Sequence, residues 1–117
     1  MSIFAHHRLD AFHAALDLVR DAQRLACRIP RGHRRLADQL SRAANAVPLL
    51  VAEGAHRVSA GHKRQRFAEA RGECGEVAAA VEVLEVLALM PAEHTRPVIE
   101  SAGRLTAMLT GLIRKFS

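Results

Sequence analysis

Apolar residues return along this chain at the three- and four-residue spacing of an α-helix in four successive stretches. In the first, Leu9, Phe12, Leu16, Val19, Ala22, Ala26 and Ile29 form the apolar stripe. Asp17–Arg20 and Asp21–Arg24 are spaced to offset the like-charge pair Asp17–Asp21. Pro30 ends the stretch, because it disfavours helical geometry at Ile29 and has no amide hydrogen to donate. The second stretch carries Leu36, Leu40, Ala43, Ala44, Val47, Leu50 and Val51. Pro48 lies inside it, yet the period keeps its phase on both sides, which predicts one continuous helix with a kink. Gly54 marks either a close helix contact or the last turns.

Ser59 is placed to cap a third helix, whose face holds Phe67, Ala70, Cys74, Val77, Val81, Leu84 and Ala88. Ala78, Val83 and Leu87 broaden that face, and Glu69, Glu73, Glu76, Glu82 and Glu85 are expected on the opposite side. Gly72 and Gly75 each cost about 1 kcal/mol of helix propensity, so two in four positions suggest a close crossing. Pro91 stops this helix. The fourth stretch carries Val98, Ala102, Leu105, Leu109, Leu112 and Phe116, with Pro97 in its first turns. Arg114 and Lys115 suit the dipole of its last turn. The reading is an all-α, antiparallel up-and-down four-helix bundle in one domain, 1–117, with helices at about 8–29, 34–57, 60–89 and 92–115.

Composition sharpens this picture. Half of the 117 residues are apolar, with no Trp or Tyr and only four Phe, so the core is aliphatic and alanine-rich. Two cysteines, Cys27 and Cys74, fall among apolar positions and read as buried free thiols of a reducing compartment. No apolar run approaches the roughly twenty residues that span a bilayer, and the opening MSIFAHHRLD does not read as a signal peptide. The cytoplasm is the expected location.

The net charge of +5 is unevenly spread: residues 1–71 carry +7 and residues 72–117 carry −2. Such asymmetry favours an anionic partner. The basic candidates form two groups: Arg28, Arg31, Arg34, Arg35 and Arg42 around one helix corner, then Arg57, Lys63, Arg64 and Arg66 around the next, at the opposite end of an antiparallel bundle. Cations of this kind suit phosphate contact, which carries no sequence information. Exposed aromatics for base stacking are not expected.

Polar and special residues in the second and third helices carry a family likeness. Gln39, Arg42, Ala43, Ala44, Val47, Pro48, Ala52-Glu53-Gly54, Arg57 and Ser59, then Arg66-Phe67, Ala70, Gly72 and Glu76, resemble the 23S rRNA-intervening-sequence protein family. Its pattern reads roughly Q-x-R-R-A-x-S-I-x-x-N-I-A-E-G-x-x-R-x-S, then R-F-x-x-x-A-x-G-S-x-x-E. The chain departs from it at Asn45-Ala46, at Leu50 in place of Asn, and at Gly72-Glu73. The resemblance implies a bundle that assembles into a ring, like the pentameric barrel of the accessory variability protein of diversity-generating retroelements. That relative works with a reverse transcriptase and binds nucleic acid through a basic surface.

From spacing alone, Glu53 and Arg57 suit an i,i+4 ion pair of about 0.2–0.5 kcal/mol. Gln39, Pro48, Glu53, Gly54, Arg57, Phe67, Gly72 and Glu76 are read as structural or interface positions. Of the seven histidines, His6 and His13 share a helical side, while His33, His56, His62 and His94 are scattered. One Glu-x-x-His is present, Glu53–His56, but not the second that a di-iron bundle requires, and there is no His-Glu-x-x-His, so neither metal nor other cofactor is expected. Lacking a phosphate loop or an activated nucleophile, the chain reads as a non-enzymatic homo-oligomeric accessory or scaffold protein that contacts RNA or DNA. The alternative is a protein-interaction module whose partner is encoded nearby, without a nucleic-acid role.

Overall fold

In a computed structural model, which describes residues 3–117, the polypeptide forms helices joined by short turns, with no strand among the described residues. Met1 and Ser2 of the opening stretch lie outside it. A 3-10 turn, Ala5–Arg8, precedes α1 (Asp10–Ala26); a second, Arg31–His33, leads into α2 (Arg34–His56). Then follow α3 (Ala60–Val86) and α4 (Ala92–Lys115). Helix α1 packs on α2 and α4, α2 on α3, and α3 on α4. The all-α four-helix bundle expected from the sequence is therefore present. At 1.5 Å per residue, α3 is about 40 Å long and sets the long axis, and the molecule measures 44 × 28 × 22 Å.

The core is aliphatic. Leu18, Leu40, Leu84, Leu105 and Leu109 are fully buried, with Phe67 as the one large aromatic. The α1 stripe is displaced from its expected position. Ala11, Ala15, Leu18, Ala22, Leu25 and Ala26 are buried, whereas Leu16 is exposed and Leu9, Phe12, Val19 and Ile29 are only half-buried. Alanines at 11, 15 and 22 allow close packing on that face, and the larger side chains fill its edges. Helix α1 also stops at Ala26, which leaves Cys27 exposed at its end instead of buried.

Helix α2 runs unbroken with Pro48 buried inside it. The N-cap of α3 is Ser59, whose Oγ accepts the His62 amide at 3.1 Å. Helix α3 ends before Leu87 because Ala88 turns left-handed, at φ 55°. The Leu89 amide then reaches the Leu84 carbonyl, and that of Ala88 the Glu85 carbonyl, each at 3.0 Å. This is a Schellman closure with alanine where glycine is usual. No glycine marks that stop in the sequence.

Two glycine expectations separate. Gly72 and Gly75 are exposed, and a β-carbon on either would meet nothing within 4 Å, so neither serves a crossing inside this bundle. Gly54 is the close approach. A β-carbon there would lie 2.6 Å from the buried ring of Phe67, so only glycine lets α2 sit this near to α3.

Candidate nucleic-acid interface

Helix ends decide what the cations can do, since the last carbonyls of a helix lack internal partners and attract positive charge. At the α2–α3 corner, Lys63 Nζ donates to the carbonyls of Ala55 at 2.9 Å and Gly54 at 3.3 Å, closing the end of α2. Arg64 donates to the Phe116 carbonyl at 2.7 Å, just past the end of α4. Arg66 pairs with Glu69 at 3.0 Å and with Glu53 at 3.4 Å. Three of the four cations expected at this corner are thus engaged in holding helices.

Arg57 is the fourth, and its expected partner is corrected. It is the C-cap of α2, and although its amide still donates to the Glu53 carbonyl at 3.0 Å, its side chain makes no ion pair with Glu53. Glu53 turns instead to Arg66 on α3. The acidic residues of α3 also depart from expectation. Glu69, Glu73 and Glu85 are half-buried at helix boundaries, not on the side away from the packing. Arg42 of α2 pairs with Glu73 at 3.1 Å and with Glu76. Burial foremost, with Glu76 alongside, raises the Glu73 carboxyl above its ordinary range, while Arg42 opposes the shift. Glu85 accepts from the buried Thr95 hydroxyl at 2.7 Å and pairs with Arg96 at 3.3 Å, tying α3 to α4. On α1, Asp17 and Asp21 both pair with Arg20, at 3.2 and 3.6 Å.

The α1–α2 corner is different. Arg31, Arg34 and Arg35 are exposed and make no ion pair among the described residues. Beside them Arg28 donates to the His94 ring, 2.7 Å from Nδ1. Arg31 and Arg34 border an open cleft of about 380 Å³, which also takes in Cys27 and Ser41. The structure therefore divides the nine basic candidates. Of the first five, Arg31, Arg34 and Arg35 are unpaired among the described residues, while Arg42 holds Glu73 and Glu76 and Arg28 meets His94. Of the other four, all but Arg57 are engaged with carbonyls or carboxylates. Helix boundaries could hint at this for Lys63, which lies in the first turn of α3, a short connection after the end of α2. Arg64 bonding across to the chain's end had no local signal.

Among the other marked residues, Gln39 and Glu76 border a groove between α2 and α3 with Leu36 and Val83. Leu50, in place of the family's Asn, packs partly buried against the core. The outer face of α3 carries Ala68, Gly72, Gly75, Ala79, Val83 and Val86, all exposed, and Val86 is 85% accessible. Burial pushes the Cys74 thiol up to about 11, as suits an inert core sulfur. No group of three or more His, Cys, Asp or Glu among the described residues is placed to hold a metal ion. No described helix is long and apolar enough to cross a membrane.

Two further expectations change, one for a histidine and one for an aromatic. His56 is not isolated: its Nε2 lies 3.0 Å from Nδ1 of His6, bringing the end of α2 against the N-terminal turn. Phe4, also in that cluster, is 53% exposed, so an accessible aromatic exists where none was expected.

The chain matches the family model described as 23S rRNA-intervening sequence protein over residues 7–111. A crystal structure of a protein with unknown function from the S23 ribosomal protein family of Bacteroides thetaiotaomicron superposes with a TM-score of 0.81 at 13% identity. The match covers 89% of this chain and 98% of that one. At that identity the likeness carries the fold alone. None of the curated proteins matches the chain.

Proposed function

The chain belongs to the 23S rRNA-intervening sequence protein family, and on that membership we propose that it is a non-enzymatic, homo-oligomeric accessory protein that binds RNA or DNA through its basic α1–α2 corner. The observation that carries this reading is the outward display of Arg31, Arg34 and Arg35, three exposed cations close together in sequence with no carboxylate in ion-pair contact among the described residues. Counterion release from phosphates favours binding by such a cluster without reading sequence. Self-association is supported by the exposed small and apolar face of α3, from Ala68 through Val86. A ring, pentameric by resemblance, would repeat the arginine cluster around its rim and multiply its field. A reverse transcriptase as protein partner belongs to the same proposal, as does a cytoplasmic location.

The test is retention of structured RNA and duplex DNA against salt concentration. Replacing Arg31, Arg34 and Arg35 together with Ala should flatten the logarithmic salt slope by about 2–3, near 0.9 per lost phosphate contact. Binding that ignores salt, or a triple variant that binds as before, overturns the reading. Light scattering tests assembly separately: a monomer at every concentration rejects the oligomer.

A further inference from the structure

We propose that residues 3–8 form a strap that uncharged imidazoles hold against the C-terminal end of α2 and that acid releases, through the juxtaposition of His6, His7, His13 and His56. The inference stands apart from nucleic-acid binding and rests on hydrogen-bond accounting.

A neutral imidazole donates through one nitrogen and accepts through the other. His6 Nδ1 and His56 Nε2, 3.0 Å apart, therefore satisfy each other with one donor and one acceptor. One added proton keeps an N–H between them; two make both nitrogens donors and turn the contact into repulsion. His7 is equally committed. Its Nδ1 accepts the amides of Ile3 and Phe4, each at 3.3 Å, so protonation there sets donor against donor. His13 Nε2, 2.9 Å from the His7 carbonyl, needs only to donate and keeps its bond on protonation. The rings are packed as well as bonded. His6 meets Phe12 of α1 edge-on at 4.5 Å between centroids, and Phe4 stacks on His6 at 5.7 Å.

The charges that act on His6 agree in sign. His7 on the strap, His13 on α1 and His56 on α2 all act on His6, and none of the groups acting on it is a carboxylate. Arg8 ends the strap and Arg57 follows His56; the nearest carboxylates in sequence are Asp10, at the start of α1, and Glu53 on α2, which pairs with Arg66. Desolvation first, and then those three imidazoles, hold His6 below the ordinary 6.5. A histidine so lowered favours the docked strap fully above that ordinary value, and the advantage is lost as pH falls through its docked-state value. Release would uncover Phe12, which His6 covers at 4.5 Å in the docked strap.

The experiment is a pH titration of the full chain by NMR, following ring-to-ring cross-peaks. Near pH 7.5 the His6–Phe12 and Phe4–His56 cross-peaks should be present. By about pH 5 they should fall at least severalfold, while the Phe67–Phe116 cross-peak of the core persists. Strap contacts that survive to pH 5, or that vanish only together with the core contact, overturn the proposal. The His6→Gln variant removes one titrating member while keeping a donor and an acceptor, and the midpoint of Phe4–His56 loss should move to lower pH. An unchanged midpoint counts against the mechanism; should this variant fail to dock its strap, the wild-type titration decides alone.

Discussion

Replacing Gly54 with Ala adds one methyl group where the bundle has no room for it. The new carbon would lie 2.6, 2.8 and 3.0 Å from Cε1, Cδ1 and Cζ of Phe67, against the roughly 3.5–4.0 Å of ordinary carbon contact. The ring must retreat by close to an ångström. It is 1% exposed and stacks on Phe116 at 6.0 Å, so retreat disturbs the junction of α2, α3 and the end of α4. Overpacking of this kind costs about 1–3 kcal/mol. The gain from replacing a helical glycine by alanine is at most about 1 kcal/mol, and less near a helix end. The balance is a loss of about 1–2 kcal/mol, or roughly 4–8 °C in Tm for a chain of this size.

Thermal unfolding by circular dichroism, at one fixed protein concentration because assembly would shift Tm, measures it. Two companions isolate the cause. Gly72→Ala meets nothing within 4 Å in this bundle and should gain about 0.5–1 kcal/mol, unless another copy covers that face. The double variant Gly54→Ala/Phe67→Leu should lose less than the sum of its parts by about 1 kcal/mol or more, since the smaller side chain clears the collision. A Gly54→Ala protein that melts higher than the parent, or a double variant that is simply additive, refutes the reasoning.

Three further outcomes are expected of the same bundle. Ala88→Gly should raise stability by about 0.5–1 kcal/mol by relieving the left-handed residue that closes α3; an unchanged or lower Tm contradicts the Schellman reading. Because Glu73 is raised, its ionisation opposes folding: the stability it allows is complete below its ordinary 4.5 and declines as pH rises through its folded-state value. Glu73→Gln should therefore melt higher than the parent near pH 7 and alike near pH 4, whereas a lower Tm at pH 7 would mean that the Arg42 pair outweighs burial. Thiol labelling of the native protein should modify Cys27 alone, with Cys74 reacting only in denaturant; two fast thiols would show that the core opens readily.

The periodic apolar positions and the two prolines at 30 and 91 were enough to place four helices, because amphipathic spacing and a missing amide act within a few residues. Ser59 as a cap is legible for the same reason. The polar and glycine pattern of α2 and α3 likewise carried the family, including the glycine that faces Phe67. Partner choice across helices was not legible. Arg57 has the right spacing for Glu53, and its amide bonds the Glu53 carbonyl, yet the carboxylate takes Arg66 from the neighbouring helix. Lys63 and Arg64 read as surface charge until the ends of α2 and α4 come beside them. His6 and His56 are fifty residues apart and meet only because the N-terminal turn folds back on α2. Short-range sterics are written in order along the chain. The remaining pairings depend on distances between separate helices, which the assembled bundle alone sets.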